Sequence, residues 1–186
     1  MTIETKERLR REVKERLAAQ APAEREKRSR RIKEKLLGLD VFKKAATVCF
    51  YVSKPHEVDT TSMIDEALAM KKKVLVPLSN LENKELRLYE IKNRRDDLQL
   101  GTFGIPEPRP ERTRLAGPKE LDCIVVPGVV FDRKNHRIGH GQGFYDRFLS
   151  GLDPRVSKIG LAFSFQVVPE ISEKDHDEKL DLVLTD

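Results

Sequence analysis

The stretch from Arg137 to Phe148 combines glycines with residues that can bind an anion or a metal ion. It reads RIGHGQGFYDRF, with glycines at positions 139, 141 and 143. Because glycine has no Cβ, such a turn can adopt positive φ and bring its backbone N–H groups close to the oxygens of a ligand. A helix beginning near Phe144 would add unpaired N–H groups and the positive end of its dipole, which favours phosphate. Arg137 could pair with phosphate, and Asp146 could hold a divalent cation.

The glycine spacing matches neither the dinucleotide-binding fingerprint nor the Walker loop, which ends in Gly-Lys-Ser/Thr. A glycine-rich turn that binds nothing is therefore as consistent with the pattern as an anion site. His136 and His140 are four residues apart, but the glycines beside His140 argue against the helix that a zinc-binding pair of this spacing needs. The chain also has no G-x-S-x-G elbow, no H-E-x-x-H pair and no obvious nucleophile.

A basic pair lies in the first predicted helix, which runs from Thr5 to Ala19. At about 100° per residue, Lys6 and Arg10 fall on the same side of this helix as its aliphatic residues. Those residues are Leu9, Val13 and Leu17. Burying a cation without a partner is costly, so either an anion binds there or both side chains extend past the apolar stripe to water.

Helices that alternate with strands predict an α/β fold with a mainly parallel sheet. A second helix starts after Pro22 and stops at Gly38, and Asp59 or Thr60 could cap a later helix that follows the first strand. The predicted strands are Ala45 to Val52, Lys73 to Leu78, Glu85 to Ile91, Asp122 to Phe131, Val156 to Phe163 and Leu182 to Leu184. Glu57 and the glycine stretch each follow a strand directly. Since ligands bind outside the carboxyl ends of parallel strands, we expect both to lie at that edge of the sheet.

A long connection containing FGIPEP, from Phe103 to Pro108, precedes the most apolar predicted strand. It exceeds ordinary connection lengths, which is typical of a mobile or a binding segment. Its two prolines and its glycine predict a stiff segment, and Phe103 and Ile105 could line an apolar pocket.

The composition bounds the class of protein. A chain of 186 residues fits one domain, here 1–186, and can bury a core without disulfides. Cys49 and Cys123 lie in apolar runs, where a small buried residue is the default. No apolar run approaches the ~20 residues of a membrane span and no signal peptide is evident, so we expect a cytoplasmic protein that binds no membrane. The net charge of +5 is spread among acidic residues without an aromatic-rich basic segment, which argues against nucleic acid.

Six motifs, in this order along the chain, resemble the 5-formyltetrahydrofolate cyclo-ligase family, also called methenyltetrahydrofolate synthetase. They are KERLR at 6–10, PHEVDT at 55–60, FGIPEP at 103–108, VVPGVVFD at 125–132, RIGHGQGFYD at 137–146, and HD at 176–177 followed by DLVLTD at 181–186. Together they cover nearly the whole chain, and six ordered matches are far more specific than any one of them.

The resemblance implies an α/β fold with a Rossmann-like, three-layer architecture, in which helices cover both faces of the sheet. It also implies an ATP-dependent ring closure with Mg²⁺. ATP phosphorylates the formyl oxygen of 5-formyltetrahydrofolate, and the nitrogen at position ten attacks the activated carbon. Phosphate then leaves to give 5,10-methenyltetrahydrofolate. The expected partner is this folate, with or without a polyglutamate tail, and the expected state is a monomer.

Matching the motifs position by position assigns roles to individual residues. Lys6 and Arg10 match the basic pair that contacts ATP, and with Arg137 and Tyr145 they form the implied catalytic set. The residues that match the nucleotide loop are Arg137, Ile138, Gly139, His140, Gly141, Gln142, Gly143, Phe144 and Tyr145. Asp146 and Asp177 match metal-binding positions. The implied folate contacts are Val52, Glu57, Phe103, His140, Gly141, Gln142, Gly143 and Phe144.

This chain departs from the family's pattern at three positions of the loop. Members often carry a basic or small residue where His140 and Gln142 stand, and a tyrosine where Phe144 stands. The backbone N–H donors survive these changes, while the side-chain roles do not carry over. Two other readings stay open from the residues alone: a basic module that binds nucleic acid, and a different phosphate-binding α/β enzyme.

Overall fold

The helices of the computed structural model agree closely with the amphipathic patterns. The structure describes residues 3–101, 104–172 and 177–186. Its helices are α1 (Ile3–Ala18), α2 (Pro22–Gly38), α3 (Asp40–Lys44), α4 (Thr61–Ala69), α5 (Arg94–Asp97) and α6 (Phe144–Ser150). Proline begins α2 because the first turn of a helix needs no N–H from that residue. The predicted cap of α4 is only partly correct. Asp59 accepts the N–H of Thr61, while the Thr60 hydroxyl donates to the carbonyl of Tyr51 instead.

Seven strands form the central sheet. The strands of the chain are β1 (Thr47–Cys49), β2 (Lys73–Asn80), β3 (Glu85–Ile91), β4 (Leu98–Leu100), β5 (Pro106–Pro108), β6 (Arg114–Ala116), β7 (Cys123–Val126), β8 (Val130–Asp132), β9 (Arg137–Ile138), β10 (Ser157–Ala162), β11 (Val167–Val168) and β12 (Leu182–Thr185). The order in the central sheet is β12-β10-β7-β1-β2-β3-β6. The first five are parallel, and β3 and β6 extend the edge as antiparallel strands. The mainly parallel sheet is therefore confirmed.

Side chains of the central strands alternate between two buried cores, one on each face of the sheet. Val48 and Val74 point into the core formed with α1 to α4, while Cys49 and Leu75 point into the core that contains Leu149 of α6. This arrangement of helix, sheet and helix is the expected three-layer architecture. Both cysteines are buried and free, and burial raises the pKa of each thiol, as for small core residues.

The predicted strand from Asp122 to Phe131 is wrong as a single element. It divides into β7, in the central sheet, and β8, which belongs to a second sheet of order β11-β8-β9. Pro127 lacks the N–H that would continue the ladder. A Cβ at Gly128 would lie 2.4 Å from the ring of Phe131, so only glycine allows the chain to fold back this closely. Both halves are apolar because each is buried, one in each sheet.

Smaller elements complete the fold. The segment FGIPEP contributes β5, which pairs with β4, so part of the predicted loop is ordered as a two-stranded sheet. Predicted strand β1 is shorter than its apolar run, although Phe50 N–H still donates to the carbonyl of Leu75. Within the described ranges, no helix is long and apolar enough to cross a membrane.

Candidate active site

A cleft of about 780 Å³ opens at the carboxyl edge of the parallel strands. Its walls come from α1, the turn after β1, the glycine stretch and α6, and the segment around Asp177. Every predicted site residue within the described ranges lines this central cleft. Phe103 and His176 lie outside those ranges, and Ile105 lines the cleft as expected. The structure thus brings together residues that are more than 170 positions apart, while the role of each residue stays a prediction.

The glycine turn, residues 139–143, has the predicted backbone. Gly141 has φ of 105° and Gly143 has φ of 69°, a region that other residues rarely adopt. Helix α6 begins at Phe144, as expected, but spans only seven residues, so its dipole adds little to an anion site. Arg10 Nε donates to the carbonyl of Gly139 at 2.9 Å. The opening helix therefore contacts the glycine turn directly.

Lys6 supplies a buried cation to the same wall. Its residue surface is only 7% exposed, and its Nζ lies 2.6 Å from Oδ2 of Asp177. The sequence left two alternatives for this side chain, an anionic partner or extension to water. For Lys6 the second alternative is wrong. Its anionic partner in the structure is a carboxylate of the protein.

Arg137 and Asp146, which precede and follow the glycine turn along the chain, form a second ion pair. Arg137 Nη2 donates to Asp146 Oδ1 at 2.7 Å, and the arginine side chain is only 2% exposed. Burial lowers the pKa of Arg137, while the charge of Asp146 opposes that shift. Among the described residues, buried Nε of Arg137 has no hydrogen-bond partner, so one donor of this guanidinium is unused in the structure.

Glu57 joins the turn after β1 to the glycine turn. Its Oε1 lies 3.0 Å from Nε2 of His140, and its Oε2 accepts the N–H of Lys54 at 2.9 Å. Burial disfavours the ionised carboxylate, but the bonds from His140 and Lys54 outweigh burial and hold the pKa of Glu57 below its usual value. The expectation that Glu57 and the glycine turn share one edge is confirmed.

Replacing Glu57 by glutamine is expected to destabilise the protein at neutral pH but not in acid. The folded pKa lies below the ordinary 4.5, so the charged form stabilises the fold above that pH, and this contribution is lost as the pH falls through the folded pKa. At neutral pH the expected loss is about 1–2 kcal/mol, because hydrogen bonds to a charged group are lost. Denaturant unfolding of both proteins at neutral pH and at about pH 3 measures it. Exposed Glu66→Gln is the control, and a difference independent of pH would contradict the prediction.

The structure adds contacts that the sequence pattern did not predict. Arg147 Nη2 donates to the carbonyl of Gln142 at 3.0 Å, and its Nε donates to the carbonyl of Lys84 at 3.3 Å. It therefore links the glycine turn to the β2–β3 hairpin. Its position one turn into α6 is the signal that could have identified it. Tyr51 and Lys54 also line the cleft beside Val52.

The two acidic residues fit a magnesium ion that arrives with phosphates. Among the residues described, no group of three or more His, Cys, Asp or Glu side chains could enclose a metal ion. Mg²⁺ is usually held by one or two carboxylates together with phosphate oxygens and water, and not by a cage of protein ligands. Asp146 and Asp177, which line the same cleft, are such a pair.

The fold and the cleft define an α/β protein whose pocket, at the carboxyl edge of its sheet, carries both cationic and anionic side chains. A family model described as the 5-formyltetrahydrofolate cyclo-ligase family matches residues 2–186. The chain belongs to the 5-formyltetrahydrofolate cyclo-ligase family, which confirms the resemblance of the six motifs.

Relatives of this chain span most of its length. A probable 5-formyltetrahydrofolate cyclo-ligase of Schizosaccharomyces pombe is 31% identical over 82% of this chain and 80% of its own length. One of Caenorhabditis elegans is 31% identical over 97% of this chain and 92% of its own. The solved structure of Aquifex aeolicus 5,10-methenyltetrahydrofolate synthetase is 33% identical, with a TM-score of 0.84, and the match covers 97% of this chain and 89% of that one.

Proposed function

We propose that this protein catalyses the ATP-dependent ring closure of 5-formyltetrahydrofolate to 5,10-methenyltetrahydrofolate, with release of ADP and phosphate. The observation that carries the proposal is the convergence of Lys6, Arg10, Arg137 and the glycine turn on one cleft, in a chain of this family. A cleft that combines cationic side chains with apolar surface suits a phosphate group that must meet a flat, partly apolar substrate.

The reaction needs activation of the formyl group. A formamide carbon is a poor electrophile, and oxide is a poor leaving group. In the proposed first step, the formyl oxygen bonds to the γ-phosphorus as the bond to ADP breaks. In the second, the nitrogen at position ten bonds to the carbon and loses its proton, and the C–O bond breaks as phosphate leaves. Neither step requires a covalent bond to the enzyme, which accounts for the missing nucleophile motif.

The protein's part in phosphoryl transfer is alignment and neutralisation of charge. Lys6 and Arg10 of α1, together with Arg137 just before the glycine turn, supply three cationic side chains to the cleft. The backbone of residues 139–143 supplies N–H groups that need no side chain, so His140 and Gln142 do not disturb this role. Tyr145 lies against Arg137, whose Cζ is 5.9 Å from the ring centroid, and helps to fix the guanidinium.

Asp146 and Asp177 would hold the magnesium ion. When bound, Mg²⁺ neutralises phosphate charge and aligns the transferred group. Each carboxylate already contacts a cation that we assign to phosphate, and all four side chains line the same cleft. We infer that a magnesium nucleotide would take over one partner of each pair.

The folate would occupy the wall opposite the cations. Glu57 keeps an ionised carboxylate there, which can accept hydrogen bonds from the N–H donors of a pterin ring. Val52, Tyr51 and Ile105 give the same wall an apolar surface. His140 bonds to Glu57, so the turn that would bind phosphates also contacts the proposed folate site. We further expect a cytoplasmic monomer.

The direct test mixes the protein with 5-formyltetrahydrofolate and Mg-ATP. The expected result is the ultraviolet absorbance of the methenyl product, with one ADP formed for each turnover. ATP hydrolysis without that absorbance would favour a different phosphate-binding enzyme. Retention of RNA that ATP and folate do not displace would favour a nucleic-acid module. Either result would overturn the proposal.

A further inference from the structure

A buried carboxylate lies just behind the cleft without lining it. Asp132 ends β8 and is only 1% exposed. Its Oδ1 accepts the backbone N–H groups of Lys134 and His136, each at 2.9 Å. Its Oδ2 lies 2.9 Å from Nδ1 of His136 and accepts the N–H of Ile171 at 2.8 Å. One carboxylate therefore fixes the tight turn of residues 132–136, here the anchor turn, and binds a distant segment.

Asn135 gives the anchor turn a second connection. It has φ of 67°, a conformation that asparagine tolerates better than most residues. Its backbone carbonyl accepts the N–H of Leu180 at 3.1 Å, and its side-chain Nδ2 donates to the carbonyl of Asp181 at 3.0 Å. These bonds hold residues 180–181, which follow Asp177 in the chain, whereas Ile171 precedes it.

The anchor turn thus contacts both flanks of the segment that carries Asp177. Ile171 lies six positions before Asp177, and Leu180 three positions after it. The same turn leads directly into Arg137, the cation that pairs with Asp146. Two site residues on separate parts of the chain are therefore connected to one set of hydrogen bonds, which is buried at Asp132 and exposed where Asn135 bonds to Asp181.

We propose that Asp132 and Asn135 are positioning residues that hold Arg137 and Asp177 in register for a magnesium nucleotide. This inference rests on the proposed function, because it assigns the two held residues to phosphate and metal. Neither anchor residue lines the cleft, so each acts through another residue and touches no substrate.

The chemistry of the carboxylate supplies a selective variant. All of the backbone partners of Asp132 are N–H donors, and an amide can face them with only one oxygen. In Asp132→Asn, the amide oxygen can still accept the N–H groups of Lys134 and His136. The Nδ2 group then faces the N–H of Ile171, and two donors form no hydrogen bond. The variant keeps the turn and releases one flank of Asp177.

Two more variants are compared with Asp132→Asn. Asn135→Asp keeps the left-handed turn but places an acceptor opposite the carbonyl of Asp181. Because Asn135 is only partly buried, we expect this variant to fold. Asp122→Asn is the control. It also removes one carboxylate charge, but at the amino ends of β1 and β7, on the edge of the sheet opposite the cleft. Asp122 accepts the N–H groups of Ala46 and Thr47 through a single oxygen, which asparagine also has.

The experiment measures the dissociation constant of ADP by calorimetry, with and without Mg²⁺, for the full chain and the three variants. We expect Asp132→Asn to lose most of the gain in affinity that Mg²⁺ confers, and Asn135→Asp to lose part of it. Metal-free ADP should bind both variants within about threefold of the wild type, because both keep the turn that leads into Arg137 and neither alters Lys6 or Arg10 of α1. Asp122→Asn should keep the full gain, even if its melting temperature falls.

The outcomes separate this inference from the proposed function. If the wild type binds no ADP, the proposed function fails, and the inference fails with it. If the wild type binds Mg-ADP and both anchor variants keep its full metal-dependent gain, the proposed function stands and the inference is wrong. If Asp132→Asn does not fold, the result for Asn135→Asp alone supports or overturns the inference.

Discussion

Asp146→Asn is expected to lower both the turnover number and the melting temperature. From the sequence alone we expect an effect on turnover with little loss of stability, since a metal ligand near a helix start serves the site more than the core. The ion pair between Arg137 and Asp146 changes the expectation about stability. Arg137 is almost wholly buried, and Asp146 is its partner at 2.7 Å. Removing one member of a buried pair leaves the other charge uncompensated.

The expected loss of stability follows from the burial of Arg137. Breaking a buried pair costs roughly 3–5 kcal/mol, and asparagine retains one oxygen, so we expect about 2–3 kcal/mol. For a chain of this length the melting temperature should fall by about 5–10 °C. Turnover should fall about 100-fold, because the metal contributes several kcal/mol to the barrier.

Scanning calorimetry and the methenyl absorbance assay measure the two effects of Asp146→Asn. The matched control is Asp153→Asn, which breaks the pair between Asp153 and Arg155, also at 2.7 Å but on the surface. An exposed pair contributes at most about 1 kcal/mol, so the control should change neither quantity appreciably. A melting temperature of Asp146→Asn equal to that of the control would show that Arg137 does not depend on its partner.

Lys6→Met should weaken ATP binding and strengthen the binding of a free divalent ion. Loss of a charged contact to phosphate is expected to raise the Michaelis constant for ATP about 10- to 100-fold. The Michaelis constant for the folate should stay within about twofold, because Lys6 lies on the nucleotide side of the cleft. Asp177 loses the cation that neutralises it at 2.6 Å, so free Mn²⁺ should bind the variant more tightly than the wild type.

Steady-state kinetics and electron paramagnetic resonance of Mn²⁺ test these two effects of Lys6→Met. Lys14→Met removes the same charge from the exposed face of the same helix and should leave both quantities unchanged. If Lys14→Met raised the Mn²⁺ affinity as much as Lys6→Met does, the gain would reflect net charge alone. An unchanged Michaelis constant for ATP in Lys6→Met would remove Lys6 from the phosphate site.

The sequence predicted features that depend on local periodicity or on chain order. The inward position of Lys6 and Arg10 follows from the helical period, because the aliphatic stripe fixes which side of α1 is buried. The meeting of Glu57 with the glycine turn follows from the rule that carboxyl ends of parallel strands share an edge. Both are confirmed by contacts in the structure.

Features that depend on long-range packing could not be predicted in the same way. Lys6 and Asp177 were both site candidates, but nothing local pairs residues separated by 171 positions. The apolar run from Asp122 to Phe131 hides a change of sheet, since burial makes both halves look alike and only Pro127 and Gly128 mark the break. The partners of Asp132 likewise come from two separate parts of the chain, residues 134–136 and Ile171.

We propose that Lys6, Arg10, the glycine turn and the two carboxylates meet one nucleotide beside a folate site. A crystal structure with Mg²⁺, a nonhydrolysable ATP analogue and 5-formyltetrahydrofolate would test this arrangement. We expect phosphate oxygens bonded to Lys6 and to the backbone of residues 139–143, a metal ion on Asp146 and Asp177, and the folate against Glu57. Phosphates bound elsewhere, with the pairs Lys6–Asp177 and Arg137–Asp146 intact, would contradict it.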